Sequence, residues 1–224
     1  MLAQRLTQVR ERIHDACRRS GRPSSSVTLI AVTKTVPVDA VREAIACGVT
    51  ELGENRVQEA REKQRALGAS GVRWHLIGHL QSNKAKLAAE LFSVVHSVDS
   101  LPLVQELERH AAALDVFIQV NVAHEQTKFG CRPEDATTLA RAVRGSSRLR
   151  LAGLMMIPPL TDDAEGARPY FRRLRELRDA VAGACELEPA ALKLSMGMSH
   201  DFEVAIEEGA DVIRIGTAIF GPRA

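Results

Sequence analysis

The stretch Leu29-Ile-Ala-Val-Thr-Lys34 ends an apolar, β-branched run with a primary amine, and Pro37 closes it. A run of this composition reads as a strand buried on both faces of a parallel sheet. Side chains alternate along a strand, so Ile30, Val32 and Lys34 share one face while Leu29, Ala31 and Thr33 share the other. Lys34 falls at the carboxyl end of its strand, where open α/β sheets and β/α barrels both build their ligand sites. A lysine at that position is often only a solvated strand end, so its role depends on the remainder of the chain.

On the amino-terminal side, Leu2, Leu6, Val9 and Ile13 recur at helical spacing, which predicts an amphipathic helix ending near Ser20-Gly21-Arg22-Pro23. It precedes the first strand and so lies outside any repeating unit. On the other side, strand and helix signals alternate. A helix over Val38 to Cys47 is followed by a strand and turn over Thr50 to Asn55 and a charged helix through Gln64 and Leu67. Strands over Val72 to Gly78 and Phe92 to Val98 flank a helix from Asn83 to Glu90. Asp99-Ser100 and Pro102 then begin a helix expected to run to Leu114.

Val116 to Asn121 and Leu149 to Ile157 read as strands five and six, separated by a helix over Pro133 to Val143. After a helix over Gly166 to Ala184, strands are expected at Leu192 to Met196 and Asp211 to Ile215, with a helix over Asp201 to Glu208 between them. About eight strand–helix units with short connections predict a parallel sheet with right-handed crossovers. That number favours closure into a single-domain (β/α)8 barrel over residues 1–224, carrying one extra amino-terminal helix. No glycine-rich dinucleotide fingerprint follows the first strand.

The charge balance narrows the function. With 30 Lys+Arg against 28 Asp+Glu the net charge is only +2, and one Trp and one Tyr leave little for base stacking, so nucleic acid is not expected as a partner. No apolar run approaches the roughly 20 residues of a membrane helix, and Met1 to Arg19 has no secretory pattern. A cytoplasmic protein is expected. Cys17, Cys47, Cys131 and Cys185 lie far apart, which predicts reduced thiols rather than a zinc or disulfide framework. His75 and His79 have metal-pair spacing, but that spacing converges on a helix and this segment reads as strand, so no metal site is expected.

The second support for Lys34 lies near the other end of the chain. Ser195-Met-Gly197-Met-Ser199 follows the seventh strand and Gly216-Thr217 the eighth. Loops after those strands are where β/α barrels commonly form a phosphate site from backbone N–H groups and hydroxyls. A lysine facing such a cup predicts a phosphorylated ligand with a carbonyl group. Pyridoxal phosphate fits, since its aldehyde forms a Schiff base with lysine while its phosphate anchors the far end. Arg214 shares a face with Val212 and Gly216. It either faces the pyridine nitrogen, where it would weaken the ring as an electron sink, or pairs with a carboxylate such as Asp211 or Glu54. Asn55 and Asn121 end strands within reach of the ligand, and Met155 or Met156 could pack beside its ring.

Several motifs resemble those of the pyridoxal phosphate homeostasis proteins: Ala31-Val-Thr-Lys34, Gly53-Glu-Asn55 with Gln58-Glu59, and Trp74-His-Leu-Ile-Gly-His-Leu-Gln-Ser-Asn-Lys84. Gly153-Leu-Met155, Leu194-Ser-Met-Gly-Met-Ser199 and Val212-Ile-Arg-Ile-Gly-Thr-Ala-Ile-Phe-Gly221 extend the resemblance over nearly the whole chain. The resemblance implies the barrel of alanine racemase and the fold-type III decarboxylases without their second domain. It further implies the cofactor bound to Lys34 as a Schiff base, its phosphate held by Ser195, Gly216 and Thr217, and Arg214 facing the ring nitrogen. Asn55 and Met156 would be nearby contacts.

The implied role is keeping the intracellular pyridoxal phosphate pool in balance without catalytic turnover, by a monomer with cofactor-dependent apoenzymes as recipients. Two positions depart from the family pattern: His200 stands where many members carry an acidic residue, and Val36 replaces a second lysine found in some. The alternative is an amino-acid racemase of the alanine racemase type. That reaction needs an acid/base on the ring face opposite the lysine. The only tyrosine, Tyr170, lies in a predicted outer helix, and no second domain is expected to supply another. A third reading, a phosphosugar enzyme, requires a carboxylate beside Lys34, for which Glu54 is the candidate.

Overall fold

The computed structural model describes residues 1–125 and 127–222. Among these, strands β1 (Thr28–Val32), β2 (Glu51–Glu54), β3 (Arg73–Leu76) and β4 (Val94–Val98) are followed by β5 (Leu114–Gln119), β6 (Leu149–Met155), β7 (Lys193–Met198) and β8 (Val212–Ile215). Each pairs in parallel with its sequence neighbour, and β8 returns to β1 through Ile30↔Arg214, closing the barrel. The (β/α)8 expectation is borne out.

Helices α2 (Val38–Ala46), α3 (Val57–Leu67), α4 (Ala85–Leu91), α5 (Leu101–His110), α6 (Ala136–Arg144), α7 (Arg168–Ala184) and α8 (Phe202–Glu207) are the crossovers. The extra helix, α1 (Leu2–Arg19), buries the stripe Leu2, Leu6, Val9, Ile13, Ala16 and Cys17 and packs on α8 and α9 (Thr217–Phe220). Arg18 and Arg19 in its last turn complement the carboxyl-terminal end of the helix dipole.

Two boundaries and one added helix differ from the sequence reading in ways that bear on the site. Helix α5 stops at His110, because Ala111 is extended and Leu114 pairs with Leu149 in the sheet. An Ala-rich segment has helical propensity, but the ladder and burial of Leu114 override it. Strand β7 runs on to Met198 through a register shift between Ser195 and Met198, so Ser195 sits inside the strand and not after it. The short helix α9 carried no periodic signal.

The core has two parts. An outer layer joins helices to the backs of the strands, while Ile30, Val94, Phe117, Met155 and Val212 fill the bore. No helix among the described residues is long and apolar enough to cross a membrane.

Candidate functional site

Lys34 lies just beyond the carboxyl end of β1, and the backbone on either side of it is fixed. Thr33 is fully buried, and its Oγ1 donates to Glu54 Oε1 at 2.6 Å. Thr35 has φ 62°, an uncommon and strained conformation for a β-branched residue. It is held there by its N–H donating to Glu59 Oε1 at 2.5 Å. Lys63 on α3 ties these points together, its Nζ donating to Glu54 Oε1 and Glu59 Oε1, each at 2.7 Å, and to the Thr33 carbonyl. Burial raises the Glu54 carboxyl above its ordinary range, against the hydrogen bonds from Lys63 and Thr33. The cluster clamps the turn that carries Lys34 from behind.

Lys34 opens onto a cavity of about 250 Å3 at the carboxyl-terminal mouth of the barrel. Val32, Ile77, Ile157 and Met198 supply apolar wall, and Asn55, Ser199, Arg214, Gly216 and Thr217 supply polar groups. His200 completes the wall, and no carboxylate is among the residues that line it. A cleft walled by cationic and neutral groups favours an anionic ligand. Asn55 lines the cavity, and its Oδ1 is buried with no hydrogen-bond partner, an acceptor that native interiors normally satisfy. Gly78 makes that placement possible, because a Cβ there would come within 2.3 Å of the Asn55 carbonyl oxygen.

Arg214 is fully enclosed at the cavity floor. Its Nη1 donates to Ser195 Oγ at 2.7 Å and its Nη2 to the Met156 carbonyl at 2.8 Å. Burial brings its guanidinium pKa down to about 10, with Asp201 acting in the opposite direction, so it remains a cation at neutral pH. Neither proposed carboxylate partner reaches it: Asp211 accepts from Arg22 and the Leu194 N–H, and Glu54 is committed to Lys63 and Thr33. Glu54 is fully buried and is not among the residues that line the cavity at Lys34.

Lys34, Asn55, Arg214, Gly216 and Thr217 are thus brought together. Ser195 and Met156 are not on the cavity wall. Ser195 is fully buried in the bore, bonded to Arg214 and to His96 Nδ1 at 2.9 Å, and Met156 contributes only its carbonyl to Arg214. Ser199 lies four residues further along the chain, on the cavity wall, where its Oγ accepts from the Gly216 and Ala218 N–H groups at 3.2 and 3.4 Å. Met198, which the register shift in β7 sets opposite Arg214, and His200 also line the wall. The His200 departure from the family pattern therefore lies in the site itself.

Asn121 is occupied by its own loop, bonding Glu125 and Lys128. His75 lies in the bore while His79 stacks on Phe129, and no group able to hold a metal ion is present among the described residues. The four cysteines are free, and burial pushes Cys131 up to about 12, which keeps it a thiol.

Comparison with known proteins agrees with this geometry. The family described as alanine racemase, N-terminal domain, matches residues 5–224. The chain is 46% identical over 224 residues to the pyridoxal phosphate homeostasis protein of Aquifex aeolicus, covering 98% of this chain and 97% of that one. It is 43% identical to the protein of the same name from Escherichia coli K12, with coverage of 99% and 97%. The structure of PipY from Synechococcus elongatus with PLP bound superposes with a TM-score of 0.84 at 38% identity, covering 99% of this chain and all (100%) of that one. Alanine racemase of Clostridium difficile shares the fold alone, with a TM-score of 0.70, 14% identity and coverage of 99% of this chain but 56% of its own. With a closed eight-stranded barrel, a lysine at the end of β1 and 43% to 46% identity over nearly its whole length to the two homeostasis proteins, the chain belongs to the pyridoxal phosphate homeostasis protein family.

Proposed function

We propose that this protein binds pyridoxal 5'-phosphate in the β1–β8 mouth of the barrel and serves in the balance of the intracellular cofactor pool, as one barrel domain acting as a monomer without catalytic turnover. The observation that carries the reading is the cavity itself. It combines a primary amine, a half-buried amide whose Oδ1 has no partner, a buried cation on its floor and the hydroxyl residues Ser199 and Thr217 beside Gly216, with no carboxylate on its wall. Pyridoxal phosphate supplies an aldehyde, which condenses with a primary amine with loss of water. Lys34 is the amine, Ser199, Gly216 and Thr217 hold the phosphate, and Asn55 meets the ring substituents. Arg214 faces the ring nitrogen. In this assignment Ser199 takes the phosphate role first expected of Ser195.

Arg214 is also the argument for holding over turnover. A guanidinium donates and cannot accept the pyridine proton, so the ring stays a poor electron sink and carbanion chemistry is disfavoured. Tyr170, the one tyrosine, packs on the outer core from α7 and is not on the cavity wall, which counts against the racemase alternative. The free cysteines fit a cytoplasmic location. Apoenzymes that need the cofactor would be its recipients.

Titration of the cofactor-free protein with pyridoxal phosphate, pyridoxal and pyridoxine phosphate separates the contributions. Both analogues are expected to bind at least about tenfold more weakly, one lacking the phosphate contacts and the other the aldehyde. Equal affinity for all three would refute the assignment. An alanine racemisation assay on the same loaded protein is expected to stay at background.

A further inference from the structure

A polar line runs through the otherwise packed bore, from the cavity floor to the opposite mouth of the barrel. Arg214 Nη1 and Ser195 Oγ are 2.7 Å apart, and Ser195 Oγ and His96 Nδ1 are 2.9 Å apart. His96 Nε2 lies 2.9 Å from His75 Nδ1, and His75 Nε2 lies 2.5 Å from Glu51 Oε2. The first four residues are at most 4% exposed, whereas the Glu51 side chain is 22% exposed at the far mouth. His96 is further fixed by stacking on Phe117, with ring centroids 4.3 Å apart. β/α barrel interiors are normally filled with branched apolar residues, so a continuous polar line there calls for a reason.

With both imidazole rings neutral, the two ends fix the direction of every bond in the line. A guanidinium only donates, and an ionised carboxylate only accepts. Arg214 therefore donates to Ser195, the Ser195 hydroxyl donates to His96 Nδ1, His96 Nε2–H donates to His75 Nδ1, and His75 Nε2–H donates to Glu51. Each link then carries one proton. The reversed neutral arrangement would set a bare His75 nitrogen against the Glu51 carboxylate. Burial holds both histidines below their ordinary range, His96 far below it, which agrees with neutral rings.

Other charges also face this end of the line. Arg73 and Arg150 pair with Asp115 around the far mouth, where Lys193 also lies. Among the described residues Arg214 hydrogen-bonds the neutral Ser195 hydroxyl and Met156 carbonyl at the cavity floor, with Asp201 acting on it through space. Glu51 is the first carboxylate reached along its hydrogen bonds.

We propose that Glu51, His75, His96 and Ser195 are positioning residues for Arg214, a one-way donor line that aims the guanidinium and lets the charge at the far mouth set how firmly it grips the ring nitrogen of the ligand. This rests on the pyridoxal phosphate reading of the cavity. It makes the barrel mouth opposite the site a control point for cofactor affinity.

Two measurements test it. Nitrogen NMR of the histidine-labelled protein without cofactor is expected to show His75 and His96 as neutral Nε2–H tautomers from about pH 6 to 8. Binding is then titrated with pyridoxal phosphate and with its carbocyclic analogue, in which a C–H replaces the ring nitrogen. Glu51→Gln keeps an acceptor for His75 but removes the charge. His96→Leu leaves the Ser195 hydroxyl without its acceptor. Each is expected to weaken pyridoxal phosphate binding roughly tenfold while moving the analogue by less than about twofold. A purely structural line would weaken both ligands equally, and that result, an Nδ1–H tautomer or an imidazolium at His96 would overturn the proposal. Glu51→Gln, at the part-exposed end, keeps the test open if His96→Leu fails to fold. If the unsubstituted protein binds neither compound, the cavity reading fails and the proposal falls with it. If it binds both and the variants do not discriminate, only the proposal falls.

Discussion

Lys63→Met should be among the most damaging conservative changes outside the cavity. The Lys63 side chain is 7% exposed and contacts a fully buried carboxylate, Glu54. Its removal strands that carboxylate and also releases Glu59 and the Thr33 carbonyl. Breaking one side of a buried ion pair costs about 3–5 kcal/mol, because the remaining charge loses its partner but not its desolvation penalty. At roughly 2–4 °C per kcal/mol for a chain of this size, the melting temperature should fall by about 6–20 °C. Urea unfolding of Lys63→Met, Glu54→Leu and the double variant measures the effect, and the double variant should be more stable than Lys63→Met alone.

The penalty should also shrink as pH falls. Burial already raises the folded-state pKa of Glu54 above its unfolded value, so protonation relieves the stranded charge. Because Thr33 and Thr35 flank Lys34, cofactor affinity should drop along with stability. A loss under about 1 kcal/mol, or a double variant as unstable as the single one, would refute the clamp.

Three further outcomes follow from the same structure. Gly153 has φ +154° and a Cβ there would lie 1.8 Å from the Lys193 carbonyl oxygen, so Gly153→Ala should cost more than about 3 kcal/mol or prevent accumulation of folded protein, as circular dichroism and expression yield will report. Asp115, Glu207 and Glu208 sit below the ordinary carboxylate range: burial opposes this, but hydrogen bonds from Arg150, Arg73, Arg168, Arg19 and Arg172 prevail. Their stabilisation is complete above the unfolded pKa near 4 and is lost as pH falls through the lower folded values, so denaturation midpoints should drop below about pH 4.5, and a flat profile there would contradict the assignment. Arg214→Leu should reduce pyridoxal phosphate affinity by at least about tenfold in a fluorescence titration, through loss of a buried charged donor.

The barrel was legible because burial of each strand on both faces writes continuous apolar runs, and turn residues separate them from the helices. Lys34 could be found because it terminates such a run, and Gly216-Thr217 because glycine after the last strand marks close backbone approach. What escaped depended on register. The shift between Ser195 and Met198 sets Met198 opposite Arg214 at the cavity wall, and no local composition announces it. His75, His96 and Glu51 lie in three different strands, so the bore line exists only once the barrel closes. The same holds for Lys63, a single charged residue in a charged helix, whose burial depends on the Thr33–Glu54 pair it meets in space.

The most direct test is borohydride reduction of the protein incubated with pyridoxal phosphate, followed by peptide mass spectrometry, with Lys34→Ala as control. The account predicts one pyridoxyl group per chain, on the peptide containing Lys34, and none in the variant, with a visible band near about 420 nm lost in parallel. Labelling spread over surface lysines, or retained in full by Lys34→Ala, would contradict it.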